Sequence, residues 1–184
     1  MNPLEHLEHR LGYSFNDQHL LTRALTHRSQ GAKNYERLEF LGDALLGVVI
    51  AETLYKKFET ANEGQLSRLR SSIVRKETLA RVARALNLGE HLLLGPGELK
   101  SGGFNRDSIL SDVLEAIIGG IYLEVGHDVA AERIADWFAT ELASLSLSQT
   151  QKDPKTRLQE YLQARALAPP EYKVINVEGK SHDQ

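Results

Sequence analysis

The 184-residue chain carries 22 Lys and Arg residues against 25 Asp and Glu residues, and this net charge of −3 argues against a strongly basic nucleic-acid-binding protein. It contains no cysteine, which excludes a disulfide scaffold and a cysteine-ligated zinc site. A hydrophobic fraction of 41% suffices for a folded core, whereas no apolar run is long enough to predict a membrane span or a secretory signal. We therefore expect a cytoplasmic protein without a membrane partner.

The first half of the chain has the periodicity of a helical protein, because apolar residues recur three and four positions apart. Helices are predicted at 2–11, 17–25, 36–58, 63–74 and 77–86. Asn16 and Asn62 precede the second and the fourth of these helices and are the expected N-caps. Gly89 follows the fifth helix and is the expected C-terminal stop.

The segment that follows is predicted to be a loop over 92–105, since GPGELKSGG contains five Gly or Pro residues in nine. Two further helices are predicted at 107–124 and 128–143, the second of them capped by Asp128. No segment up to this point alternates like a strand. Residues 1–145 are therefore predicted to form an all-α helical domain.

Acidic residues interrupt two of these helices, which are otherwise apolar. Glu39 and Asp43 lie four positions apart in one helix, and Asp112 and Glu115 lie three apart in the other, so each pair shares a helix face. Two carboxylates about 4 Å apart repel by roughly 1 kcal/mol in water and by about 4 kcal/mol at an effective dielectric constant near ~20. Because a cation would remove that cost, the four acids are candidate metal ligands.

Glycines on the same two segments would permit the helices to approach closely: Gly42, Gly47, Gly119 and Gly120. Mg²⁺ prefers oxygen ligands, so a carboxylate cluster without Cys or His suits it, with Mn²⁺ as a plausible substitute. The alternative for any one acid is a surface ion pair. For Glu36, one turn before Glu39, a pair with Arg37 or Arg106 is the simpler interpretation.

The last part of the chain has a different pattern. Residues 146–152 have the composition of a linker, and Asp153 followed by Pro154 predicts the start of a helix over 154–165. The sequence YKVINVEG at 172–179 then alternates like a strand. These elements predict a small α/β module over 153–184, which we expect to be incomplete because its second strand would begin after the last residue.

The motif ERLEFLGDA at 36–44 resembles the signature of the ribonuclease III family, endonucleases that cut double-stranded RNA. THRS at 26–29, GPGELKSGG at 95–103 and ILSDVLEAIIGGIYL at 109–123 are similar to further family segments and occur in the same order. DPKTRLQEYLQ at 153–163 resembles the first helix of the double-stranded-RNA-binding domain that follows the catalytic domain in bacterial members. Tyr35 departs from the pattern, since many members have Asn there.

The resemblance implies a helical catalytic domain that forms a homodimer, with a magnesium-dependent site in each subunit. The metal ligands implied by it are Glu39, Asp43, Asp112 and Glu115, among which Asp43 and Glu115 are the catalytic residues. Phe40 is similar to the aromatic residue that inserts into the partner subunit, and Glu63 and Glu36 are possible accessory acids.

In the C-terminal module, the resemblance implies contacts with RNA minor grooves and their 2′-hydroxyl groups. The residues concerned are Thr156, Gln159, Glu160, Gln163 and His182. The alternative for this helix face is an ordinary solvated polar surface.

The expected activity is metal-dependent cleavage of double-stranded RNA to 5′-phosphate and 3′-hydroxyl ends, in the maturation of rRNA precursors and mRNA. A non-enzymatic, dimeric RNA-binding or assembly protein with the same fold is the alternative. Loss of one of the four acids would favour it, and all four are present. A di-iron carboxylate bundle would require two Glu-x-x-His motifs on two helices, whereas the sequence contains a single one, Glu124 to His127, which Gly126 interrupts.

Overall fold

The computed structural model describes residues 3–150 and 154–173, and the chain divides into two units, residues 1–149 and 150–184. The helices of the first unit are α1 (Pro3–Leu11), α2 (Gln18–Ala24), α3 (Glu36–Lys57), α4 (Glu63–Val74), α5 (Lys76–Ala85), α6 (Pro96–Lys100), α7 (Asp107–Val125), α8 (His127–Trp137) and α9 (Ala139–Ala143). Short 3₁₀ turns lie at Leu88–His91, Gly103–Asn105 and Leu147–Thr150. In the described part of this unit, pairing between extended segments is limited to one isolated bridge, from Thr26 to Leu93. The helical prediction is confirmed for these residues.

Side-chain caps set the starts of two helices. Asn62 accepts a hydrogen bond from the backbone N–H of Gln65 at 3.0 Å, and the Gln65 side chain accepts from the backbone of Asn62, so α4 begins with a capping box. The N-cap predicted at Asn16 is wrong. The cap of α2 is Asp17, whose carboxylate accepts from the backbone N–H of His19 at 2.9 Å.

The C-terminal end of the fifth helix also lies earlier in the chain than the stop predicted at Gly89. Helix α5 ends at Ala85, and Asn87 adopts the left-handed conformation with φ of 56°, which asparagine tolerates better than most residues. Gly89 is needed for space, because a Cβ atom there would lie 2.4 Å from the carbonyl oxygen of Phe104. The predicted loop at 92–105 contains α6 and a 3₁₀ turn, since proline at the first position of α6 is compatible with a helix.

The predicted helix at 128–143 is two helices. Gly126, with φ of 86°, ends α7 and precedes α8, so the cap predicted at Asp128 is wrong. The helical path breaks at Phe138, which separates α8 from α9. Phe138 is fully buried, so the break brings a large aromatic side chain into the core.

Helix α7 is the centre of the first unit, with α2, α3, α5 and α8 packed against it. Almost every residue of α7 from Ile109 to Ile121 is buried, and Asp112 is partly buried. The most extensive helix–helix contact is that between α3 and α7. The acids on α7 are thus carried into the interior, beside those on α3.

The second unit contains α10 (Pro154–Gln163), in agreement with the predicted helix start. Tyr172 and Lys173 are not in a strand, and the rest of the strand predicted at 172–179 lies outside the described residues. The α/β character of this module therefore stays a prediction. Within the described ranges, no helix combines the length and the apolar character that crossing a membrane requires.

Candidate metal centre

Two glycines set the distance between the helices that carry the acids. A Cβ atom on Gly42 would lie 1.8 Å from the carbonyl oxygen of Glu115, and one on Gly119 would lie 2.2 Å from that of Leu38. The backbones of α3 and α7 are therefore in direct contact, as predicted for these two glycines. The same role predicted for Gly47 and Gly120 is wrong: Gly47 has open space beside it, whereas Gly120 faces the ring of Phe15.

Three carboxylates converge next to this crossing. Glu39, Asp112 and Glu115 each offer one oxygen atom, and the three atoms lie within 4.8 Å of one another. Glu115 is only 9% exposed, while Glu39 and Asp112 are partly buried. Asp43, one turn after Glu39, is exposed and lies outside this group of three.

The crowding of these acids raises their pKa values. Burial raises the pKa of Glu115 to about 8, helped by the negative charges of Asp43, Asp112 and Glu39. Burial and the charges of Asp112, Glu36 and Asp43 raise the pKa of Glu39 to about 7. Asp43 therefore acts electrostatically on both residues although it is not in the tight group. The charge of Arg28 lowers the pKa of Glu39 but does not offset burial and the neighbouring carboxylates, and a bound cation would supply the further positive charge.

Asp112 contacts two hydroxyl groups. The Tyr35 hydroxyl donates to Oδ2 at 3.2 Å. The Ser111 hydroxyl donates to the carbonyl oxygen of Ser108 at 2.9 Å and makes a longer contact with Oδ1 at 3.3 Å. Burial raises the pKa of Asp112, and the contacts with Tyr35 and Ser111 oppose the rise. Burial and the charge of Asp112 in turn raise the pKa of Tyr35, so its hydroxyl keeps the proton that it donates.

Two of the three acids, Glu39 and Asp112, line a cavity of about 370 Å³, whose lining also includes His27, Arg28, Glu98 and Arg106. Glu98 and Arg106 form an ion pair at 3.0 Å. Arg28 lies 3.9 Å from Glu36 and is 72% exposed. The partner expected for Glu36 at Arg37 or Arg106 is therefore wrong, although an exposed ion pair does form. Two guanidinium groups thus border a cavity that carboxylates line.

Sequence reasoning assigned no role in the site to Tyr35 or His27, although both lie in or next to segments that carry the family resemblance. The His27 ring packs edge-on against the Tyr35 ring with centroids 5.6 Å apart. Both side chains are buried, at 3% for Tyr35 and 6% for His27. An aromatic residue directly before an acidic helix was the available signal, but its contact with Asp112 depends on the fold.

The other predicted site residues lie elsewhere. Glu63 is exposed at the first position of α4, where it accepts a hydrogen bond from Ser67 at 2.7 Å. It lines a separate cavity of about 530 Å³ between α3 and α4. Phe40 is 80% exposed on the outer side of α3.

The residues predicted to contact RNA fall on α10 or beyond the described chain. Gln159, Glu160 and Gln163 are exposed on this helix. Thr156 belongs to the same helix, and His182 lies outside the described residues. Their role in binding stays a prediction.

Comparison with known proteins gives related sequences and folds. The sequence model of the family described as ribonuclease-III-like matches residues 17–142. Ribonuclease 3 of Hahella chejuensis is 59% identical over 181 residues, covering 98% of this chain and 80% of that protein. The nuclease domain of ribonuclease III from Campylobacter jejuni, described for flexibility in a region involved in dimer formation, matches with a TM-score of 0.74 and 46% identity, covering 74% of this chain and 96% of that one. Dicer from Pichia stipitis matches with a TM-score of 0.56 and 26% identity, covering 92% and 78%.

Proposed function

This chain belongs to the ribonuclease III family and is an endoribonuclease, and we propose that it cuts double-stranded RNA as a Mg²⁺-dependent homodimer. The observation that carries the metal dependence is the convergence of Glu39, Asp112 and Glu115, whose oxygens lie within 4.8 Å of one another. The family likeness supports the reaction class. The geometry of the acids supports the cofactor.

The donor set fits Mg²⁺. It consists of carboxylate oxygens alone, which hard divalent cations prefer over nitrogen and sulfur. Ligands about 2.1 Å from Mg²⁺ lie roughly 3.0 Å apart when adjacent and roughly 4.2 Å apart across the ion, so the three oxygens would draw closer together on binding. Glu39, Asp112 and Glu115 would hold the ion directly, and we assign Asp43 as the fourth acid at its edge. Mn²⁺ has the same ligand preference and is the expected substitute.

A bound divalent cation supplies an activated water and stabilises the departing 3′ oxygen of the RNA. The chain itself orients the ligands, because the Tyr35 and Ser111 hydroxyl groups each contact one oxygen of Asp112. Asp43 and Glu115 are the proposed catalytic carboxylates. Arg28 and Arg106, at the border of the cavity, carry positive charge that RNA phosphates require. The expected products have 5′-phosphate and 3′-hydroxyl ends.

The outer face of α3 supports the proposed homodimer. Phe40, Val48 and Tyr55 are 80%, 58% and 73% exposed, and their spacing puts them on one side of the helix. Contiguous apolar surface of this kind marks an interface. Phe40 also borders a cavity of about 530 Å³ that Leu38, Leu41 and Leu123 help to line. In a two-fold symmetric dimer the same patch serves both subunits, and two active sites would cut opposite strands.

The domain assignment completes the proposal. Residues 1–145 form the catalytic domain, 146–152 the linker, and 153–184 the N-terminal part of a double-stranded-RNA-binding domain. Gln159, Glu160 and Gln163, exposed on α10, are available for contact with RNA, together with Thr156 and His182 as the proposed further contacts. A cytoplasmic location and a role in rRNA and mRNA maturation follow from the family.

The decisive experiment incubates the purified chain with a long RNA duplex and with the matching single strand. We expect cleavage of the duplex in Mg²⁺ or Mn²⁺, no cleavage in chelator, and recovery when metal is restored. End analysis should find 5′-phosphates. Duplex binding without cleavage in either metal would overturn the proposal in favour of the non-enzymatic alternative.

A further inference from the structure

Tyr35 connects the two helices that carry the acid group. Its side chain is 3% exposed, and its hydroxyl donates to Oδ2 of Asp112 on α7 at 3.2 Å. Its carbonyl oxygen accepts from the backbone N–H groups of Leu38 and Glu39, at 2.8 and 2.9 Å, in the first turn of α3. Tyr35 thus contacts Asp112 of α7 through its side chain and Glu39 of α3 through its backbone.

The Tyr35 ring is fixed by its surroundings. Its backbone N–H donates to the carbonyl oxygen of Thr26 at 2.9 Å, and its ring packs edge-on against His27. His27 is itself held, because its Nδ1 lies 2.7 Å from Oγ of Ser29, which accepts from the backbone N–H of Gly95 at 2.9 Å. A hydroxyl on so constrained a ring has a defined position. It can therefore define the position of the carboxylate that it contacts.

The effect on a metal site follows from the chemistry of the contact. A phenol remains protonated at neutral pH and donates to Oδ2 of Asp112, which leaves the second lone pair of Oδ2 and the lone pair of Oδ1 that Ser111 does not contact for a cation. Partners that orient metal-binding carboxylates are worth roughly 10–100-fold in metal affinity or activity. We propose that Tyr35 is a positioning residue of the metal centre, which fixes Asp112 through its hydroxyl and Glu39 through its backbone. This inference rests on the proposed metal-dependent function.

The chain offers a matched control in Tyr13. Its hydroxyl donates to Oε2 of Glu124, near the end of α7, so it also joins a loop to that helix. Glu124 is not among the acids that converge at the metal centre. Tyr13→Phe therefore removes the same hydroxyl–carboxylate hydrogen bond as Tyr35→Phe, but away from the cluster.

The test measures Mn²⁺ binding to the whole chain by electron paramagnetic resonance, without RNA. Tyr35→Phe should raise the Mn²⁺ Kd by about tenfold, while Tyr13→Phe should leave it within about twofold of the original value. Thermal unfolding without metal records any loss of stability in each variant. Equal Mn²⁺ affinities for Tyr35→Phe and the unchanged chain, or equal weakening by Tyr13→Phe, would overturn the inference.

A double-mutant cycle separates positioning from a general effect. In an Asp112→Asn background, Tyr35→Phe should weaken Mn²⁺ binding by no more than about twofold, because the hydroxyl acts through the missing carboxylate. A full tenfold loss of Mn²⁺ affinity in the Asp112→Asn background would contradict the proposal that Tyr35 acts through Asp112.

A spectroscopic readout on the unsubstituted chain keeps the inference falsifiable even if Tyr35→Phe folds poorly. Metal binding should perturb the near-ultraviolet absorption of a tyrosine, and Tyr13→Phe should retain this signal. If Mn²⁺ binds without any change in tyrosine absorption, the positioning role of Tyr35 is refuted and the proposed metal-dependent function still stands. A chain that binds no Mn²⁺ at all would instead refute the proposed function.

Discussion

Helices α3 and α7 look alike in sequence, but their surroundings differ. Both are long and apolar, and both carry acids on one face. Helix α7 is enclosed by neighbours along most of its length. Helix α3 buries one side against α7 and exposes Phe40, Val48 and Tyr55 on the other.

The difference explains how Glu115 and Asp43 behave, whereas Glu39 of α3 resembles the acids of α7 because it lies beside them. Glu115 on the enclosed helix is 9% exposed and has its pKa raised to about 8, because burial disfavours its charge. Asp43 on α3 is exposed to solvent. The neighbours that enclose α7 exclude water from its acids. Helix α3 has one side that is not covered, and this side offers a surface for association. Four experiments test this contrast between the two helices.

The largest effect is expected at Glu115. Glu115→Gln keeps the size of the side chain but removes a ligand oxygen charge, and cleavage should fall by at least about a thousandfold, which corresponds to roughly 4 kcal/mol of transition-state stabilisation. The fold should persist, since Glu115 already holds a proton near neutral pH. The control Glu132→Gln, at a 66% exposed acid on α8 that pairs with Arg133, should change the rate only a few-fold. Rates measured on a labelled duplex check both, and near-normal turnover by Glu115→Gln would remove its assigned role.

The next largest effect is expected at Gly42, where the backbones of α3 and α7 are in contact. Gly42→Ala would bring a Cβ atom 1.8 Å from the Glu115 carbonyl oxygen, so the helices must separate, and the free energy of unfolding should fall by about 3 kcal/mol or more. The control Gly97→Ala adds a methyl group where nothing lies within 4 Å and should change stability by about 0.5 kcal/mol at most. Urea denaturation measures both. A fully stable Gly42→Ala variant would show that the backbones are not in contact.

The exposed side of α3 is tested at Phe40. Phe40→Ala should raise the dimer dissociation constant by about thirtyfold, as truncation of an interface anchor costs roughly 2 kcal/mol. Phe104→Ala is the control, because this 48% exposed phenylalanine is not on α3. Sedimentation velocity over a concentration series gives the constants. If both substitutions have the same effect, or neither has any, the outer face of α3 is not the interface.

The smallest effect is a pH dependence of stability without metal. The folded chain holds protons on Glu39 and Glu115 up to about pH 7 and 8, whereas the reference value is 4.5. Since the folded state binds more protons in this range, its stability should be greatest below pH 4.5 for these two groups and should decrease as pH rises towards 8. The loss is at most about 1.4 kcal/mol per pH unit for each group, and less for Glu39, because its carboxylate is partly screened by solvent.

The measurement compares urea midpoints across that pH range with and without Mg²⁺. Mg²⁺ should stabilise the chain more at the alkaline end, where the carboxylates have already lost their protons. Glu115→Gln isolates the contribution of this residue and should flatten the profile measured without metal. A flat profile in the unsubstituted chain would mean that the acids are not electrostatically crowded.

Much of the site could be predicted from sequence because it depends on local rules. Charged residues are costly on an apolar helix, so Glu39, Asp112 and Glu115 stand out, and helical periodicity predicts which of them share a face. The Asn62 cap followed from similar local chemistry. Predictions failed where several residues could satisfy one rule, as after α5, where Asn87 adopts the left-handed conformation and Gly89 is needed for space beside Phe104.

The amino-acid sequence alone determined the helical class, the acids and the family, since periodicity, composition and motif order are properties of neighbours along the chain. Only the tertiary structure decided which glycines touch, that Asp43 stays outside the tight group of carboxylates, and that Tyr35 reaches Asp112 across 77 positions of sequence. The physical reason is that a helix fixes the direction of its own side chains, whereas its distance from another helix depends on the packing of the whole core.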